Sequence, residues 1–243
     1  MVSKKVVVTA AHCVFSKNLT LNDKSIFTVA QGPELELDDS GSELRPKNAQ
    51  GTSSVEKVIP HPKYDPGDEN IFSDIAILVL SKALPGPTVT LAKPGASAKL
   101  PDGAKMTVIG FGYNNFYPIQ PEGEKGFSPY FSPTLYQVTL SLGKIGMPPC
   151  DFEGLDNKRQ LCLVGKKVSI NFLNENAQLE TVNATQSSCH GDSGGPLFYK
   201  GVQYGLVSFG RGLCSEFLAN PTVFTKLSSH RKYFIDPIVK KYT

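Results

Sequence analysis

The sequence predicts an all-β protein closed by a single C-terminal helix. Three observations carry that prediction. The apolar runs are of strand length, and none approaches the length of a membrane-spanning helix. Clusters of Gly, Pro, Asn and Asp separate them, as turns separate short strands. Helical periodicity is confined to the end of the chain, where Ile235, Ile238, Val239 and Tyr242 share one face from about Ser228 onward, with Ser- or Thr-type capping expected at its start. A chain of 243 residues can bury one or two cores.

Taken in order, Val6-Val7-Val8-Thr9-Ala10-Ala11-His12 reads as a buried strand that delivers an imidazole at its end. Ser25–Gln31, Ser54–Ile59 and Ile75–Leu80 read as further strands. Between the first two, Gly32–Gly51 reads as a polar loop carrying Glu34, Glu36, Asp38, Asp39 and Glu43. Those acids match no ligand spacing and read as a solvated loop, so no metal is assigned. Ala83–Asp102 is rich in Pro, Gly and Ala and reads as a connection between two halves. Met106–Gly112 then opens the second half, Tyr113–Pro133 reads as a long insertion, and Lys166–Thr185 as an irregular stretch. The charge of +3 is mild and scattered, with no basic stripe that would argue for nucleic acid.

One stretch carries chemistry. In Cys189-His190-Gly191-Asp192-Ser193-Gly194-Gly195-Pro196-Leu197, glycines flank Ser193 on both sides. Such a turn can present one hydroxyl and aim the N–H groups of Gly191 and Ser193 at one point, an oxyanion hole beside a nucleophile. Taken alone, the turn reads equally as a Gly-rich surface loop. A hydroxyl also needs a base, and the chain has four histidines: His12, His61, His190 and His230. His12 ends a buried strand, where packing can fix the ring. Asp74 stands at the mouth of an uninterrupted apolar strand, a costly place for a carboxylate unless it is paired. It could instead be a solvated residue at a strand terminus.

Thr9-Ala10-Ala11-His12-Cys13, Asp74-Ile75-Ala76-Ile77 and Gly191-Asp192-Ser193-Gly194-Gly195-Pro196 together resemble the three signature motifs of the trypsin- and chymotrypsin-like serine proteases, in that family's order. Smaller matches extend the resemblance. His61-Pro62-Lys63-Tyr64-Asp65 is similar to the segment before the aspartate motif. Gly110-Phe111-Gly112 and Ser208-Phe209-Gly210 are similar to a Gly-Trp-Gly and a Ser-Trp-Gly with the indole replaced.

The resemblance implies two antiparallel, six-stranded-type β-barrels around a cleft: a first barrel over 1–92, incomplete at its start, a second over 93–227, and a helix over 228–243. It implies a triad in which Ser193 attacks, His12 carries the proton and Asp74 orients the ring, with Gly191 and Ser193 N–H groups as oxyanion hole. It places Ser187 at the floor of the specificity pocket, where trypsin-like members have Asp. His190, Ser208, Phe209, Gly210 and Thr222 line the substrate, with Ser208 also resembling the serine that supports the aspartate, and Thr222 stands where larger pockets carry glycine. Small or medium apolar side chains are therefore expected to fit. Glu216, in a loop of unusual length, is a further candidate for entering the pocket.

The resemblance also pairs Cys150 with Cys162 and Cys189 with Cys214, leaving Cys13 as the unpaired member of five. Oxidised cysteines imply a secreted protein, with which the sequons at Asn18 and Asn183 agree. Met1-Val2-Ser3-Lys4-Lys5 runs straight into the histidine strand. Family members begin with an Ile-Val-Gly-Gly-like terminus whose ammonium pairs, after activation, with the residue corresponding to Asp192. The sequence is therefore expected to be an N-terminally truncated version of a secreted zymogen. Two functions follow from the resemblance. One is a monomeric endopeptidase without cofactor, membrane or nucleic acid, acting on polypeptides and open to protein inhibitors. The other is a silent or latent homologue that binds a protein through the old cleft.

Overall fold

In the computed structural model the described residues are 1–32, 34–37, 44–68, 71–113, 134–173, 179–210 and 221–243. Strand β1 (Val6–Thr9) runs antiparallel to β6 (Ala76–Leu80), which pairs with β5 (Gly51–Pro60) and through it with β2 (Thr28–Gln31), giving a four-stranded half-barrel in the order β1-β6-β5-β2. Every residue of β6 is buried, which explains why its sequence is apolar throughout instead of alternating. One face packs Ala11, Val14, Val55, Leu78 and Leu80 together. The other brings Val6, Val8, Ile75, Ile77 and Val79 against Leu206, Leu227, Phe234 and Ile235 from the second half.

The second half is a closed six-stranded barrel. Its strands are β7 (Lys105–Gly110), β8 (Tyr136–Leu142), β9 (Gln160–Val164), β12 (Pro196–Tyr199), β13 (Val202–Gly210) and β14 (Thr222–Lys226), in the order β12-β13-β14-β9-β8-β7. Closure leaves this sheet without an edge. Met106, Val108, Leu140, Leu163, Leu197 and Phe224 fill it. Cys150 and Cys162 are disulfide-bonded, and Cys13 is free. Cys189 is also disulfide-bonded; Cys214, its expected partner, lies outside the described residues, as do Glu216 and residues 114–133 of the expected insertion.

The all-β, barrel-and-helix expectation is met, with four local corrections. Lys24–Ile26 is a 3-10 turn, because Asp23 Oδ1 takes the Ser25 N–H at 2.8 Å and pulls the start of the expected strand into a cap. The expected polar loop contains a hairpin, β3 (Glu34–Leu37) with β4 (Leu44–Lys47), whose register sets Glu34 opposite Lys47; facing opposite charges favour such a pairing. Asp38, Asp39 and Glu43 of that loop lie outside the described residues. Lys166–Thr185 is largely a second hairpin, β10 (Lys167–Leu173) with β11 (Leu179–Thr185), and the apolar alternation Val168, Ile170, Phe172 is its signal.

The C-terminal segment is helical from Leu227, as α1 (Leu227–His230), a π-helical turn (Arg231–Ile235) and α2 (Asp236–Tyr242). The fourth correction is at its start, where Lys226 stands as N-cap and makes no side-chain capping bond. The chain enters the helix directly from β14 and is held by burial of Leu227 instead. Ile235 is fully buried, with Ile238, Val239 and Tyr242 packed on the same cluster. His230 lies against His61, ring to ring at 4.9 Å, and burial pushes it down to about 4, so it is neutral at physiological pH.

Candidate active site

The pairing of β1 with β6 brings the candidate base and its acid together. Thr9 registers with Ala76 across an antiparallel pair, so the end of β1 and the start of β6 lie at the same edge of the sheet. Beyond Thr9 the chain turns into a 3-10 helix, His12–Val14; the strand thus ends earlier than expected, and the turn swings His12 over Asp74. The carboxylate of Asp74 is fully buried and completely engaged. Oδ1 accepts the His12 main-chain N–H at 2.9 Å, and Oδ2 lies 2.8 Å from His12 Nδ1. Oδ2 also accepts the Ser208 hydroxyl at 2.6 Å.

Ser208 reaches Asp74 from the opposite half of the molecule because of a break in strand pairing. Along β13 and β14 the register shifts between Val207 and Phe209. A bulge of this kind leaves the extra residue unpaired and re-aims its side chain.

Electrostatics couple the pair. Burial alone would raise the Asp74 carboxyl, but the His12 contacts and the Ser208 hydroxyl hold it below its ordinary value. Burial pulls His12 down; hydrogen bonds and charge from Asp74 and Cys13 outweigh it and push the imidazole up to about 10. Because Nδ1 faces a carboxylate, it keeps its proton when the ring is neutral, and it is that neutral form whose Nε2 lone pair is left for another donor. In this structure Cys13 Sγ stands 3.5 Å from Nε2.

Ser193 sits in the run-in to β12, which is locked into the barrel beside β13 and β7. Gly194 adopts φ +75°, and a Cβ there would stand 2.3 Å from Thr9 Oγ1 and 2.9 Å from Ala10 N. The missing side chain is therefore what lets the serine turn press against the strand that carries His12. Gly194 N–H donates to Val207 O at 2.8 Å, and Val207 N–H returns a bond to Gly195 O at 2.9 Å. The Asp192 and Gly195 N–H groups are likewise engaged, with Cys189 O and Asp192 O. Among the described residues the N–H groups of Gly191 and Ser193 donate to nothing. The Ser193 hydroxyl is half-buried and makes no hydrogen bond to His12.

Asp192 points away from the cleft into a seat made by two glycines. Its Oδ1 accepts the Gly112 N–H and its Oδ2 the Cys189 N–H, each at 2.9 Å. A Cβ on Gly110 would stand 1.9 Å from Oδ1, and one on Gly112 2.5 Å from Cγ. This accounts for the Gly110-Phe111-Gly112 spacing: both glycines make room for one carboxylate.

Of the candidate pocket residues, Phe209, Gly210 and Thr222 lie along the β13–β14 edge. Gly210 registers with Thr222 across the two strands. Among the described residues a Cβ on Gly210 would meet nothing within 4 Å, whereas Thr222 is buried and its hydroxyl accepts from Ser188 Oγ at 3.2 Å. Ser187 and Phe209 are half-buried beside them. His190 is exposed; its carbonyl accepts the Tyr113 N–H, and the two rings lie 5.9 Å apart. Sequence reading missed Ser188 and also Thr225, whose hydroxyl donates to the Asp74 carbonyl at 2.8 Å. A polar side chain within the apolar strand Thr222-Val223-Phe224-Thr225 was the available signal, but its partner is 151 residues away in sequence.

A family model described as Trypsin matches residues 1–234. Cathepsin G of Mus musculus is 28% identical over 232 residues, covering 94% of this chain and 69% of that protein. Mast cell protease 2 of Ovis aries is 29% identical over 247 residues, covering 99% and 78%. Chymotrypsin of Phaedon cochleariae is 25% identical over 240 residues, covering 95% and 67%.

Proposed function

The chain belongs to the trypsin family of serine peptidases, and on that premise we propose that it hydrolyses peptide bonds through Ser193, His12 and Asp74. The observation that supports this most strongly is the engagement of Asp74: three donors fix its carboxylate, and two of them belong to His12. A ring so oriented turns Nδ1 to Asp74 and leaves Nε2 as the nitrogen to serve Ser193. Ser193 Oγ attacks the substrate carbonyl carbon while its proton passes to Nε2. The developing oxyanion takes the N–H groups of Gly191 and Ser193, which donate to nothing else among the described residues. Nε2–H then protonates the leaving amine, the acyl-enzyme forms, and water repeats the sequence in reverse. No cofactor enters. In apo sites such hydrogen bonds are often long, and here Ser193 reaches Nε2 by displacing the Cys13 contact.

The pocket reading is a small or medium apolar slot, with Ser187 at its floor, Gly210 open on one wall and Thr222 on the other. The β13–β14 register, which sets Gly210 opposite Thr222, supports it. Thr222→Gly should move the preference of kcat/KM towards Phe and Tyr by about 10-fold or more, the scale of a few methylenes in an apolar pocket. A peptide library read by mass spectrometry checks this; unchanged preference would put Thr222 elsewhere.

Polypeptides are the substrates, with protein inhibitors of matching shape as the natural antagonists. Secretion into an oxidising compartment agrees with the disulfides at Cys150–Cys162 and Cys189. The second reading, a latent or silent homologue that binds protein through the cleft, is favoured by two facts. Ser193 makes no bond to His12, and a thiol occupies Nε2. Peptide hydrolysis by the wild type, abolished in Ser193→Ala, separates the two. Equal, residual turnover in both proteins would leave the binding homologue standing.

A further inference from the structure

We propose that Thr225 is a positioning residue of the triad: its hydroxyl, donated across the molecule from β14, holds the main chain of Asp74 in the orientation that aims the carboxylate at His12. This rests on the reading above that Asp74 orients His12 for catalysis.

The backbone before Asp74 is held in an unusual conformation. Ser73 is buried and has φ +54°, a conformation that a non-glycine residue adopts at a cost. Such a residue persists only where its surroundings over-determine it. Here the surroundings come mostly from the second barrel. Gln160 Nε2 donates to the Ile71 carbonyl at 2.9 Å, and the Arg159 guanidinium lies 4.2 Å from the Phe72 ring centroid. Thr225 Oγ1 then takes the Asp74 carbonyl itself. Thr225 is 2% exposed and registers with Gln160 on one side and Leu206 on the other. It sits on a strand bonded from both sides, so its hydroxyl is a fixed point.

Asp74 is thus gripped at both ends. Ser208 and His12 hold the carboxylate, and Thr225 holds the carbonyl. With the hydroxyl removed, the Asp74–Ile75 peptide, which contains the Asp74 carbonyl, loses its anchor on β14 and keeps the Ile75 N–H bond to the Ser73 carbonyl, so it can tilt about that bond and let the left-handed turn relax. Rotation of that peptide carries the Asp74 side chain away from His12 Nδ1. The effect on chemistry passes entirely through His12, whose imidazolium the Asp74 contact supports.

The test compares wild type, Thr225→Val and Thr225→Ser. Valine keeps the shape and loses the donor; serine keeps the donor. Two readouts separate positioning from plain stability: the His12 titration midpoint by NMR, and the division of any loss between kcat and KM. Thr225→Val should lower the His12 midpoint by about one unit, because the supporting carboxylate is displaced. It should lower kcat by about 10- to 100-fold, the scale of a displacement of about 1 Å, with KM within about twofold. Thr225→Ser should restore both. If Thr225→Val does not fold, Thr225→Ala supplies the donor-free protein.

A His12 midpoint and kcat equal to wild type in the donor-free variant would overturn the proposal, whatever its melting temperature. So would a serine variant as impaired as the valine one. The NMR midpoint is read without turnover. An inactive wild type whose midpoint still shifts in Thr225→Val would therefore sink the peptidase reading and leave the positioning one standing.

Discussion

Asp74→Asn should lower kcat by about 10⁴-fold with little change in KM, a magnitude taken over from the established behaviour of this family's triad. The hydrogen bonds of Asp74 supply the reason. Three donors converge on its carboxylate: the His12 main-chain N–H, the His12 ring at Nδ1, and the Ser208 hydroxyl. An amide offers one acceptor oxygen and one NH2. With the oxygen on the His12 N–H, the NH2 faces Nδ1 and requires it to accept. The ring proton then moves to Nε2, and the lone pair that should take the serine proton points the wrong way.

The pH dependence follows with a definite sign. In the folded wild type His12 is pushed up to about 10, against an unfolded value of ~6.5. The neutral imidazole needed as base therefore accumulates only as pH rises above the ordinary histidine range, and kcat/KM should climb there. In Asp74→Asn the supporting charge is gone, burial dominates, and the limb should move to lower pH. The same linkage governs stability. The contribution of the raised His12 pKa is fully present below pH ~6.5 and is lost as pH rises through the folded value. Melting temperatures of the two proteins across that window should converge on the alkaline side; a gap that widens with pH would reverse the assigned coupling.

Gly112→Ala should lower kcat by about 10²- to 10³-fold, the cost of losing an oxyanion donor. The new Cβ would stand 2.5 to 2.6 Å from the Asp192 carboxylate carbon and both its oxygens. Asp192 cannot stay, and its departure breaks the bonds from Gly112 and Cys189 N–H. Because the Asp192 carbonyl also takes the Gly195 N–H at 2.8 Å, the turn carrying Gly191 and Ser193 tilts with it. KM for a short ester substrate should barely move, since the pocket edge along β13 and β14 is untouched. Steady-state kinetics on such an ester give the answer, and a variant with wild-type kcat would mean the seat of Asp192 does not govern the turn.

What the sequence made legible was chemistry concentrated in short stretches. His12 at the end of β1 and Asp74 at the start of β6 could be nominated because burial beside apolar strands demands a partner for each. The serine turn, ambiguous by itself, became legible through its order after the His12 and Asp74 motifs. The hairpin at Lys167–Thr185 was hidden because the apolar alternation Val168, Ile170, Phe172 is short and set in a polar, Asn-rich stretch that reads as well as a loop. Gly110 and Gly112 could be noticed but not explained, since the carboxylate they accommodate lies 80 residues further along. Ser208 was legible through the family resemblance as a support for Asp74, whereas Thr225 acts across the divide between the two halves with no such match. Such contacts are set by how β13 and β14 approach the half-barrel, which no local pattern encodes.

The central claim is that Ser193 is a nucleophile activated by His12 and Asp74 beside a formed oxyanion hole. The measurement that meets it most directly is reaction of the wild-type chain with a fluorophosphonate, followed by peptide mapping of the adduct. One phosphonyl group is expected, located on Ser193, formed faster as pH rises, slowed about 10⁴-fold in Asp74→Asn and absent in Ser193→Ala. A folded wild-type chain in which Ser193 stays unmodified, or reacts no faster than its Asp74→Asn variant, would contradict it.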